Sequence, residues 1–128
     1  MEIDPTAPAL PAFNLTDPPS ISWHARITVA PENAEKFLRY LKPCMDAVKA
    51  EKECVFFQVF QDPSKPGSFM FVENWNASLE WMQSVQFKKP YYIPYITETA
   101  PLWLDRKFEV WERLPGAEWA SSKPANFE

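Results

Sequence analysis

Two β-rich runs joined by six residues of turn chemistry constrain this chain more than any other feature in it. Cys54-Val55-Phe56-Phe57-Gln58-Val59-Phe60-Gln61 leads through Asp62-Pro63-Ser64-Lys65-Pro66-Gly67 into Ser68-Phe69-Met70-Phe71-Val72-Glu73-Asn74-Trp75. Proline presets turn torsions, aspartate bonds its own backbone and glycine lifts steric limits, so runs joined this closely must fold back as an antiparallel hairpin. The rest of the fold has to be built around that pair.

The flanking periods supply the rest. Residues 22 to 30 alternate, with Trp23, Ala25, Ile27 and Val29 on one side and His24, Arg26 and Thr28 on the other, which reads as a first strand. Pro31 can open a helix, and Glu32 and Glu35 suit its positive end. Ala34, Phe37, Leu41, Cys44, Met45 and Val48 recur at helical spacing, and a kink is expected at Pro43. A second helix is expected from about Ala77 to Phe87, breaking at Pro90, followed by a short irregular helix over 91 to 104. Residues 106 to 114 alternate as a last strand. The order β-α-β-β-α-β is the split βαβ, an α+β ferredoxin-like fold with both helices on one face of an antiparallel sheet.

Apolar groups lie on both sides of the third strand, Met70 and Val72 on one and Phe69, Phe71 and Trp75 on the other. A lone copy would therefore expose an apolar sheet face, and a homodimer packed sheet on sheet is expected, a dimeric α+β barrel. The face under the helices is expected to carry His24 and Arg26 together with Phe71, Glu73 and Trp75, around a ligand pocket.

With 128 residues the chain has room for one domain, and a 46% hydrophobic content is enough to build its core. Prolines at 5, 8, 11, 18 and 19 mark residues 1–20 as an extended arm. Residues 21–114 form the folded body, and 115–128 read as a tail. The net charge of −4, with no basic cluster among the aromatics, argues against nucleic acid. No run of 18 apolar residues and no basic, apolar leader is present, so no membrane contact is expected and the cytoplasm is the expected location. Cys44 and Cys54 lack neighbouring metal ligands and read as small buried residues. With only two glycines there is no phosphate-cradling loop, and no metal or other cofactor is expected.

The segment from Glu51 to Trp75 also resembles the hairpin signature of the antibiotic biosynthesis monooxygenase family. Its Glu51-Lys52-Glu53-Cys54, Asp62-Pro63 and Phe69-x-x-x-Glu73-x-Trp75 elements match that signature without a gap, and the likeness extends over about 22 to 114. The resemblance implies the ferredoxin-like fold, Glu73 and Trp75 as site residues, and by spacing a polar pocket position at His24. It departs from the haem-degrading and quinol branches, which place a histidine where this chain has Ser84, so haem ligation is not expected. It departs from the anthrone-oxygenase branch at Phe71, Trp81 and, approximately, Tyr95, which makes the pocket more apolar. The family's glycine and tyrosine of the second strand are Glu53 and Phe57 here.

The expected activity is cofactor-independent monooxygenation of an aromatic or polyketide-type secondary metabolite, with dioxygen as co-substrate. His24, the single histidine, is the candidate general base, because imidazole titrates near neutral pH. Glu73 would orient it or bind a hydroxyl. Arg26, Phe57, Phe71, Trp75, Trp81, Tyr92 and Tyr95 are the candidate substrate-binding groups, the aromatics to stack on a planar ring and Arg26, Asn74 or a tyrosine to meet an oxyanion. Tyr91, Tyr92 and Tyr95 form a lid-like cluster around Pro90 and Pro94. Two other readings share these residues: a non-oxidative cyclase, dehydratase or decarboxylase of a polyketide, and a non-catalytic dimeric binding domain.

Overall fold

The computed structural model describes residues 20–114 and 117–123. Residues 1–19 of the proline-rich arm, and 115–116 and 124–128 of the tail, therefore lie outside the described residues.

Four strands form one antiparallel sheet: β1 (Ile21–Val29), β2 (Cys54–Asp62), β3 (Lys65–Trp75) and β4 (Trp103–Glu112). They lie in the order β2-β3-β1-β4, the ferredoxin-like arrangement. Asp62 closes the hairpin as its composition predicts, its Oδ1 accepting from the Ser64 backbone N–H at 2.9 Å and from Ser64 Oγ at 2.8 Å. Gly67, the third residue of β3, lies where a Cβ would stand 2.0 Å from the Val29 carbonyl oxygen, so that strand approach admits no side chain.

Helix α1 (Ala34–Lys49) follows a 3₁₀ turn opened by Pro31. Its buried stripe of Ala34, Phe37, Leu41, Cys44 and Val48 lies on the sheet. The Phe37 ring stacks on Phe69 at 5.0 Å and on Phe71 at 6.1 Å, which joins helix to sheet. The helix continues through Pro43, which is exposed, so the carbonyl freed by the missing N–H can meet water instead of the core.

The second helical region is shorter than its pattern suggests. Helix α2 covers Leu79–Ser84, capped by Ser78 Oγ, which accepts from the Trp81 N–H at 3.0 Å. Ser84 Oγ donates back to the Glu80 carbonyl, Val85 leaves the helical region, and a 3₁₀ turn carries Gln86 into the interior. Helix α3 (Tyr92–Thr99) is regular where an irregular one was expected, because Pro94 falls in its first turn and displaces no helical bond. β4 begins at Trp103, three residues before its alternation becomes legible, through a register shift against β1 at Thr28 and Val29. Ser20 Oγ and Asn76 Oδ1 both accept from Arg113 Nη1, tying the ends of three strands together.

Candidate active site

Register decides what the helices cover. Trp23 pairs with Glu73, Ala25 with Phe71 and Ile27 with Phe69, so these residues share the face beneath α1 and α3. His24 pairs with Val72 and Arg26 with Met70, which puts them on the open face. The expectation that His24 and Arg26 share a hollow with Glu73 and Trp75 is therefore overturned. The apolar side of β1 is the one that satisfies the stripe of α1, and period-two alternation then sends the imidazole and guanidinium the other way. On that open face Ser22 Oγ and His24 Nε2 share a hydrogen bond of 2.9 Å, and a shallow depression joins His24 and Arg26 to Lys107, Glu109 and Trp111.

Under the helices lies a cavity of about 280 Å³, near the lower end of the roughly 300–1,000 Å³ usual for small-molecule sites. Its floor is the sheet: Trp23, Ala25 and Ile27 from β1, Phe57 from β2, Phe71 and Glu73 from β3, and Trp103 and Phe108 from β4. Its roof is Leu41, Cys44, Met45 and Val48 from α1, then Phe87, Tyr92, Tyr95 and Ile96. Trp23 is held between Phe87 at 5.1 Å and Phe108 at 5.5 Å, and these flat faces shape the space for a planar guest.

Glu73 is the acid in this lining. It is 6% exposed, and burial pushes its carboxyl up to about 8 from an ordinary 4.5, partly opposed by a hydrogen bond from the Trp75 indole. Trp75 Nε1–H donates to Glu73 Oε1 at 3.1 Å, which leaves Oε2 beside the cavity without a partner among the described residues. Burial also raises the Cys44 thiol to about 12 and holds both the Tyr92 and Tyr95 phenols well above their ordinary range, with the Glu73 charge adding to each. Of the roof tyrosines, Tyr92 is braced from behind, together with its neighbour Tyr91. Gln86 Nε2 donates to the Tyr91 hydroxyl at 2.5 Å and to the Tyr92 hydroxyl at 2.9 Å, Tyr91 donates to Glu51 Oε2 at 3.1 Å, and Lys89 pairs with the same carboxylate.

Of the residues singled out in the sequence, Glu73, Phe57, Phe71, Tyr92 and Tyr95 line the cavity. Trp75 and Trp81 do not. Trp75 is fully buried past the cavity's end, where it anchors Glu73 and packs against Trp81 at 6.3 Å. Trp23, Phe87, Trp103 and Phe108 are wall residues that sequence reasoning did not assign to the site, although Trp23 already falls on the apolar side of its strand. Among the described residues no group of three His, Cys, Asp or Glu side chains is placed to hold a metal ion, and no helix is long and apolar enough to cross a membrane.

The sequence profile described as "Antibiotic biosynthesis monooxygenase" matches residues 20–89. A protein of Pestalotiopsis microspora named "putative monooxygenase" is 44% identical over 103 residues, covering 80% of this chain and 86% of its own. A crystal structure of an antibiotic biosynthesis monooxygenase superposes with a TM-score of 0.66 at 17% identity, over 74% of this chain and 99% of the other. A conserved protein from Methanosarcina mazei superposes with a TM-score of 0.64 at 15% identity, over 75% of this chain and 94% of that one. At such identities the solved structures establish the fold, while the profile and the Pestalotiopsis microspora relative carry the family. This chain belongs to the antibiotic biosynthesis monooxygenase family.

Proposed function

We propose that this protein is a monooxygenase that uses Glu73 to take an acidic proton from a planar aromatic or polyketide-type metabolite and lets the resulting anion react with dioxygen inside the cavity. The observation that carries the reading is Glu73 itself, a carboxyl at the wall of an aromatic cavity whose affinity for protons burial has raised to about 8. Such a carboxylate is a far better match for a phenol, an enol or a benzylic C–H conjugated to a ketone than an exposed one would be. Trp75 keeps one oxygen in place, and the other is available to the substrate.

Once the proton has moved to Glu73, the electron-rich anion gives an electron to dioxygen and recombines with it, forming a C–O bond. The peroxide anion takes the proton back from Glu73, and the resulting hydroperoxide loses water, so one oxygen atom remains as a new carbonyl and the other leaves reduced. The aromatic walls keep bulk water from the anion during these steps. His24, on the other face of the sheet, has no part in this scheme.

The proposed working form is a homodimer. Its support is the open sheet face, where Met70 and Val72 are half-buried while Phe60 is 40% and Trp111 57% exposed.

Anthrone, a planar ketone with an acidic benzylic position, serves as the test substrate. Oxygen uptake should track quinone formation. The ratio kcat/KM should climb with pH and level off above about 8. Glu73→Gln should lower turnover on the order of 10²-fold or more. Conversion that persists without dioxygen would replace the oxygenase with a non-oxidative proton-transfer enzyme.

A further inference from the structure

The open face of the sheet carries a balanced set of charges together with the single histidine of the chain. Cross-strand register lays that face out in rows. Toward β4, Thr28 stands beside Asp105, Arg26 beside Lys107 and His24 beside Glu109. Two cations therefore sit between two acids. Asp62 and Lys65, which share a hollow with Arg26 and Asp105, add one charge of each sign at the hairpin end. Among the described residues this face sums to no net charge while the imidazole is neutral. Around half-buried His24 the partners are few. Its Nε2 shares a hydrogen bond of 2.9 Å with Ser22 Oγ, and the Trp111 ring lies 6.4 Å away. Toward β3 and β2 its row continues in Val72 and Gln58, which carry no charge. Toward β4 the Glu109 carboxylate already accepts from Trp111 Nε1–H at 3.0 Å and pairs with Lys107 Nζ at 2.8 Å, and Arg26 and Lys107 are the cations of the same depression.

A second copy of the chain is the occupant this pattern fits. A two-fold contact supplies every group twice, so a face with equal numbers of cations and acids meets its own copy without net repulsion, while Phe60, Met70 and Val72 supply apolar area. Protonating His24 adds one positive charge to each of two surfaces that lose water as they join, and the acid beside it is engaged by Lys107. We propose that His24 is a proton-operated lock on the homodimer, closed while the imidazole is neutral and opened when it gains a proton. The lock presupposes the homodimer proposed above. Imidazole ordinarily changes charge at about pH 6.5, and two protons must leave before two protonated copies can join.

Sedimentation equilibrium of the full chain at about pH 7.5 and about pH 5.5 reads the dimer dissociation constant on either side of that titration. In the wild type the constant should rise about ten- to hundredfold at the lower pH. His24→Gln, uncharged throughout, should keep the tight value at both, and His24→Lys, charged throughout, should be weak at both. Glu73, with a proton affinity of about 8, titrates close to this window, but it lies on the covered face and is retained in both variants. A pH response that survives in His24→Gln therefore belongs to another group and overturns the lock. Tight association of His24→Lys overturns it as well. A wild-type constant that is equal at the two pH values removes the lock and keeps the dimer, whereas a wild type that is monomeric at about pH 7.5 removes both.

Discussion

Glu73 is kept where folding alone would not put a carboxyl. Its proton affinity is higher in the folded chain, about 8, than at its ordinary value of 4.5, so the fold favours the neutral form. Below about pH 4.5 both folded and unfolded chains hold the proton and the residue costs nothing. As pH rises from 4.5 to about 8 the unfolded chain gives up the proton while the folded chain still holds it, so stability falls across that window, by on the order of 5 kcal/mol once pH has passed 8. Glu73→Gln should therefore match the wild type in thermal midpoint near pH 4.5, exceed it increasingly up to about pH 8 and hold a level advantage above that. A constant difference across that range would show that the carboxyl is not shielded as described. Glu73 and the ring of Phe71 were legible as site residues because alternation along β3 puts them on one side. His24 was misplaced, since its chemistry drew attention while the strand opposite decided its face.

Among the elements, β3 carries the greatest demand. It is bonded on both sides, by β2 and β1, and its inner face supplies Phe69, Phe71, Glu73 and Trp75 to the core and cavity. Near the start of the strand Gly67 is pressed against the Val29 carbonyl, so Gly67→Ala must push β1 and β3 apart. Chemical denaturation should show a loss on the order of 2–3 kcal/mol, and a neutral result would mean the strand start can shift freely. The helices were legible in kind and misjudged in extent. Ser84 and Val85 end α2 early, and this allows Gln86 to turn inward and brace the tyrosines, a tertiary demand that no helical period announces. Pro94 misled in the opposite direction, because proline breaks a helix from its interior and suits its first turn.

For the whole molecule, the open face and the covered face have separate tasks. Sedimentation at micromolar concentration should report the proposed dimer, and Trp111→Lys, which places a charge on the exposed part of that face, should shift it toward monomer. A wild-type chain that stays monomeric would leave the face to solvent. His24→Ala should leave anthrone turnover within about twofold, because the cavity lies behind the sheet from it. A loss of 10²-fold would return the imidazole to the mechanism. From its residues alone the chain determined the hairpin, the order of strands and helices, the two apolar sheet faces and an acid set among aromatics, since turn chemistry and periodicity act over neighbouring residues. Which side of β1 meets Glu73, and that a hollow remains between sheet and helices, were decided only in three dimensions. Alternation says that two faces differ; the pairing of residues some fifty positions apart, and the fit of α1 and α3 over them, chooses which face is enclosed.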